Sequence, residues 1–236
     1  MKAVDAVDIQ TLDFSTGLTQ RADAGCLWFE SPRALRTLCS ALVGGGLGWH
    51  RHFCHFHVHK DYAGCCPEAD LRGWLSEREI PDHDAIALMT AVPLNQLAIE
   101  CAQAGERHVL VAATAGVGNA VDIIAPAVSD ARLVAGTVNL MVLVDGHLED
   151  AALVNACLSA TEAKVRALSD AGVMDAESGT LATGTSTDAI IIAATQRGEP
   201  TPYAGSGTRL GRTIGACVYA AILRSLDKGL IGKAPL

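Results

Sequence analysis

Three segments of this chain hold almost nothing but apolar residues: "RHVLVAATA" (107–115), "GTVNLMVLV" (136–144) and "DAIIIAA" (188–194). A strand with one solvated face alternates polar and apolar residues, and these do not. Near-continuous runs of this length suit strands buried on both faces. The chain is therefore expected to wrap such strands on two sides.

Helices supply part of that cover. Over residues 149–171, Val154, Cys157, Leu158, Thr161, Val165 and Leu168 recur at three- and four-residue spacing, Glu149 and Asp150 open the first turn, and Gly172 ends it. "PEADLRGWLSERE" (67–79) starts with Pro67 and Glu68 in the manner of a helix, and helices are also expected over "PLNQLAIECAQAG" (93–105) and over residues 208–226. "CLWFES", "ALRTLCSALVG" and "HRHFCHFHVH" read as extended. Strands and helices mix without strict alternation, which predicts an α+β or layered α/β fold, with mixed sheets packed against helices. One domain is expected over residues 1–236, its core at about 26–226 and its weakly patterned ends frayed.

Composition narrows the function classes. Of 236 residues, 50% are hydrophobic and 19% charged, with mean hydropathy +0.27. That balance calls for a large interior or for self-association, so a homo-oligomer is expected. No wholly apolar run, residues 189–194 included, approaches the length of a membrane span, and Asp5, Asp8 and Asp13 break up the first residues. No membrane association and a cytoplasmic location are expected. A net charge of −8 without a run of Lys or Arg argues against nucleic acid. Eight cysteines without C-x-x-C spacing read as reduced thiols.

Four stretches could carry chemistry. "TAGVGNA" (114–120) follows a buried strand, and a glycine-rich turn there can aim backbone N–H groups at an oxyanion, or can simply be a loop. "TGTSTDAIIIAA" (183–194) crowds Thr183, Thr185, Ser186, Thr187 and Asp188 ahead of an apolar strand. It offers a nucleophile and a base, although the same residues also cap turns. "ATEAKVRAL" (160–168) offers Glu162 and Lys164 as base and charge stabiliser, or Glu162 and Arg166 as a surface pair. "HRHFCHFHVH" holds His50, His52, His55, His57 and His59. Histidines two apart share a strand face but converge poorly on one ion, so a polar edge competes with a metal or ligand site.

"TAGVGNA", "GTVNLMVLVDG" (136–146), "ATEAKVRAL", "ATGTSTDAIIIA" (182–193) and "AGSGTRLGRTIG" (204–215), in that order, resemble the adenosylcobinamide amidohydrolase family, together with the earlier "GGGLG" and "MTAV". The resemblance runs over about residues 26–225. It implies hydrolysis of the amide between aminopropanol and a side chain of the corrin ring, giving adenosylcobyric acid, with the corrinoid as substrate and no cofactor or metal of the protein's own. The His-rich segment lies outside the matching pieces. It leaves open an amide in another chelate such as a siderophore, a metallohydrolase using the histidines, or a protein that binds a corrinoid without turning it over. Within the matching pieces the chemistry puts Thr185, Ser186 or Thr187 as nucleophile, Asp188 or Glu162 as base, and Lys164 as charge stabiliser. Asn119, with backbone N–H groups, is expected to donate to the oxyanion, and Thr114, Gly116 and Asn139 are expected against the substrate, with His50 and His52 contacting the chelate.

Overall fold

The computed structural model describes residues 8–11, 14, 17–126 and 136–231. The expected fraying of the two ends falls largely outside these. The chain runs β1 (Asp8–Thr11), β2 (Thr19–Ala22), β3 (Cys26–Cys39), β4 (Gly46–His57), α1 (Pro67–Glu77), β5 (Ala85–Thr90), β6 (Ala98–Ala104) and β7 (Arg107–Ala115). It continues through β8 (Ala120–Val121), β9 (Val138–Asp145), β10 (His147–Leu148), α2 (Asp150–Asp170), β11 (Gly184–Thr185), β12 (Ala189–Ala194), β13 (Pro200–Thr201) and α3 (Arg209–Ile231).

Among the described residues, nine strands form one mixed sheet. Its order is β5-β4-β3-β12-β9-β7-β6, and the long strand β3 shares one edge between two neighbours: Leu27–Glu30 pair with β2, and Arg36–Cys39 with β12. Two parallel pairs, β4 with β5 and β9 with β12, are each joined through a helix, since parallel neighbours need a crossover. The fold is α+β, with helices α1, α2 and α3 packed on a mixed sheet.

The three apolar runs are β7, β9 and β12, and the packing explains why they lack a polar face. Val109, Val111, Leu140, Val142, Ile190 and Ile192 point to α2 and α3. Their alternates Leu110, Met141, Leu143 and Ile191 pack on Phe29, Leu35, Phe53, Ile86 and Leu88 of β3, β4 and β5. One half of the sheet thus folds over the other, and α1 closes the far side through Leu71 and Leu75 against Cys54, Phe56 and Ala87.

Two expectations are corrected. Residues 93–105 form a short turn of 3-10 helix, Leu94–Gln96, followed by strand β6, not a helix. β6 pairs along its whole length with β7 across the tight turn at Gly105, where φ is +70°, and that pairing outweighs the helix preference of Ala, Glu and Gln. In α2 the buried face is Ala152, Leu153, Ala156, Ser159, Ala160, Lys164, Ala167 and Leu168, while Val154 and Leu158 stand outside. Four alanines and Ser159 on that face let the helix approach the sheet and α3 closely, with Leu153 and Leu168 reaching inward beside them.

Candidate active site

The parallel strands β9 and β12 begin side by side, Asn139 level with Ala189, and antiparallel β7 ends beside them, Thr114 level with Asn139. Loops that leave this end of the sheet therefore converge. The two-strand pair of β8 with β11 lays residues 119–121 along residues 184–186, and the second half of α2 lowers Lys164 onto them.

At the centre is Asp188, whose two oxygens accept four hydrogen bonds. Oδ1 receives Val138 N–H at 3.0 Å and the Thr185 hydroxyl. Oδ2 receives Thr185 N–H at 3.1 Å and the Lys164 ammonium. The Lys164 and Asp188 side chains are only 9% and 12% exposed, so the charges face each other largely out of water. Gly184 makes room for the pair: a Cβ there would lie 2.7 Å from Asp188 Oδ2 and 2.8 Å from Lys164 Nζ.

The neighbouring hydroxyls differ in where their protons go. Thr187 donates to the Gly136 carbonyl at 2.6 Å, which ties that proton to the backbone. Ser186 is exposed, and its oxygen accepts from Asn119 Nδ2 at 2.8 Å, leaving its own proton free to turn outward. Only the Thr185 proton, of these three, points at a carboxylate. Asn119 Nδ2 also lies 3.3 Å from Thr187 Oγ1, while Asn119 Oδ1 is buried without a partner among the described residues.

Asn139 and Thr137 hold this arrangement from below. Asn139 donates to the Met89 carbonyl at 2.8 Å and so ties β9 to β5 across the interior. The Thr137 hydroxyl lies 2.8 Å from the Thr187 carbonyl and 3.1 Å from Asn139 Oδ1, two acceptors for one proton. Gly116 N–H donates to the Thr137 carbonyl at 2.9 Å, and a Cβ on Gly116 would meet Val92 at 2.6 Å. Thr114 is wholly buried, its hydroxyl without a partner among the described residues.

The sequence-predicted residues therefore separate into groups. Thr185, Ser186, Thr187, Asp188, Lys164 and Asn119 come together. Asn139, Gly116 and Thr114 lie beneath them, more as support than as surface. Glu162 is exposed on α2, and Arg166 forms its ion pair with Asp170 at 2.8 Å. His50 is seven residue levels along the sheet from Asp188, roughly 20 Å away at the usual strand rise. It is buried and hydrogen-bonded to Thr37 at 2.8 Å. His52 is buried next to Arg51, and burial lowers the pKa of both histidines. Among the described residues no three His, Cys, Asp or Glu side chains are grouped to hold a metal ion. Thr137 and Gly184 carry no chemistry that the sequence announces by itself, although both sit inside the motifs that form the site.

A cavity of about 450 Å³ opens elsewhere, between β2, β6 and α3. Its two cations are already engaged: Arg224 pairs with Glu100 at 2.7 Å, and Lys228 donates to the Leu97 carbonyl at 2.7 Å. No helix among the described residues is long and apolar enough to cross a membrane.

A sequence model of the adenosylcobinamide amidohydrolase family matches residues 11–231. The adenosylcobinamide amidohydrolase of Halobacterium salinarum is 39% identical over 153 residues, 62% of this chain and 61% of that protein. The one of Methanosarcina mazei is 31% identical over 152 residues, 61% of this chain and 66% of that protein. A protein of Methanocaldococcus jannaschii is 27% identical over 190 residues, covering 73% and 71%. The chain thus spans a little under two thirds of the length of the first two.

Proposed function

The chain belongs to the adenosylcobinamide amidohydrolase family, and we propose that it hydrolyses the amide linking aminopropanol to the corrin side chain of adenosylcobinamide, with Thr185 as nucleophile. The observation that carries the assignment of roles is the hydroxyl of Thr185 donating to a carboxylate that a buried ammonium holds in place. An amide needs a nucleophile, an acceptor for its proton and donors for the tetrahedral oxyanion. The Thr185 oxygen attacks the amide carbon as its proton passes to Asp188 Oδ1. Lys164 keeps Asp188 oriented and balances its charge. The Ser186 hydroxyl, itself polarised by Asn119, donates to the oxyanion.

Collapse of the tetrahedral species breaks the C–N bond, and the proton on Asp188 leaves with aminopropanol. The corrin carboxyl is then an ester on Thr185. Water attacks that ester with Asp188 as base, releasing adenosylcobyric acid and restoring the hydroxyl. Thr137, Asn139 and Gly116 act by fixing the backbone that carries Thr187 and Asp188.

The test is incubation with adenosylcobinamide and with a panel of other amide-bearing chelates, siderophores included, followed by mass spectrometry. Release of aminopropanol and adenosylcobyric acid supports the proposal. Cleavage confined to another chelate, or corrinoid binding without release of aminopropanol, would overturn it.

A further inference from the structure

The apolar residues that α2 turns away from the core lead to a second surface. Val154 and Leu158 are 47% and 56% exposed, and they follow Asp150 along one flank of the helix. Asp150 is bound by Arg36 of β3, Nε and Nη2 lying 3.0 and 2.9 Å from its oxygens, and the same guanidinium lies 5.8 Å over the ring of Trp49 on β4. Trp49 and Leu47, two residues apart and so on one strand face, are 51% and 50% exposed. Leu38, level with Leu47 on β3, bridges toward the helix. One uncovered apolar strip therefore runs from α2 across β3 to β4.

The strip ends at an open sheet edge. β5 pairs with His52–His57 of β4, whereas Gly46–His50 have β3 on one side and, among the described residues, no strand on the other. Edge strands are ordinarily guarded by lysine, proline or charge. Residues 46–50 read "GLGWH" and have none of these.

We propose that this edge and strip form the interface of a homodimer, the occupant being a second copy of the same chain. A strand can pair with its own copy antiparallel about a two-fold axis, which sets the same patch on both sides. Charge favours this place over others. Two copies carrying −8 each repel, but here Arg36 and Asp150 neutralise each other and the remaining side chains of the strip are uncharged. The patch also has the apolar centre that a stable interface, burying roughly 800 Å² on each partner, is built around: Leu47, Trp49, Val154 and Leu158 are each about half exposed.

Sedimentation or light scattering across a dilution series tests this on the full chain, comparing wild type with Leu47→Glu on the strand, Leu158→Glu on the helix, and Tyr203→Glu as an exposed control. Far-UV circular dichroism checks folding. Wild type and Tyr203→Glu are expected at twice the 24.5 kDa chain mass. Leu47→Glu and Leu158→Glu should each weaken dimerisation at least tenfold with unchanged dichroism. Should one of the two fail to fold, the other reads the same surface. A wild-type mass of one chain at every concentration would overturn the proposal, as would a dimer indifferent to both substitutions.

Discussion

Acid should unfold this protein through one histidine more than through any other. His55 is wholly buried on β4 against the edge of Phe29, and neither ring nitrogen has a partner among the described residues. Burial alone pushes its pKa from 6.5 to about 4, because the protonated ring would lose its water and gain nothing in exchange. The sign follows from linkage. The unfolded chain takes up the proton at ordinary pH values and the folded chain resists, so the stability is fully present above pH 6.5 and is lost as the pH falls toward about 4. A gap of that size is worth about 3 kcal/mol at ~1.4 kcal/mol per pH unit, a substantial part of the ~5–15 kcal/mol by which domains are stable.

The assay is urea unfolding at a series of pH values from 7.5 to 4, on wild type and His55→Leu. Leucine keeps the volume and removes both polar atoms, so at pH 7.5 the variant should be as stable as wild type or more so, since an unpaired buried donor costs about 1–3 kcal/mol. On acidification, wild type should lose about 3 kcal/mol more than the variant. Carboxylates such as Asp23, present in both, cancel in the comparison. Parallel pH profiles would refute the reasoning, because they would mean that His55 finds a partner or water when protonated.

Other outcomes follow from single contacts. Asp188→Leu leaves the Lys164 ammonium buried without its partner and should cost about 3–5 kcal/mol in urea unfolding, while Asp188→Leu with Lys164→Met should recover much of that stability but no turnover. Gly184→Ala places a methyl against both members of the pair, so hydrolysis should fall at least a hundredfold while far-UV dichroism changes little. Arg78→Met removes the partner of Asp23, at 2.7 Å and mostly shielded, and so loosens the β2–β3 turn from α1; a loss of roughly 1–3 kcal/mol is expected by thermal or urea unfolding.

Much of the fold is legible in the residues because burial on two faces leaves a signature no other environment does. β7, β9 and β12 could be read from apolar runs, and α2 from its length and its glycine stop. Two features were not legible, each for a physical reason. Residues 93–105 have the composition of a helix, and nothing within them announces the neighbour β7 that makes them a strand. In α2 Val154 and Leu158 mark the wrong flank: the buried one holds a row of alanines at positions 152, 156 and 160, with Lys164 next in the same row. That row is visible in the sequence, and it marks Lys164 as an inward-facing cation and Glu162 as its exposed neighbour. Among the hydroxyls of residues 183–187, burial and the direction of each proton separate Thr185 from the exposed Ser186 and Thr187, and both are properties of the folded turn.

The central claim is that the Thr185 hydroxyl, aligned on Asp188, opens the amide. The rate of aminopropanol release from adenosylcobinamide by wild type, Thr185→Ser and Thr185→Val tests it most directly, since valine keeps the shape and lacks the oxygen. Release by wild type and by the serine variant is expected, with the valine variant slower by about a thousandfold or more, as when a nucleophile is removed. Release by Thr185→Val within tenfold of wild type would contradict it.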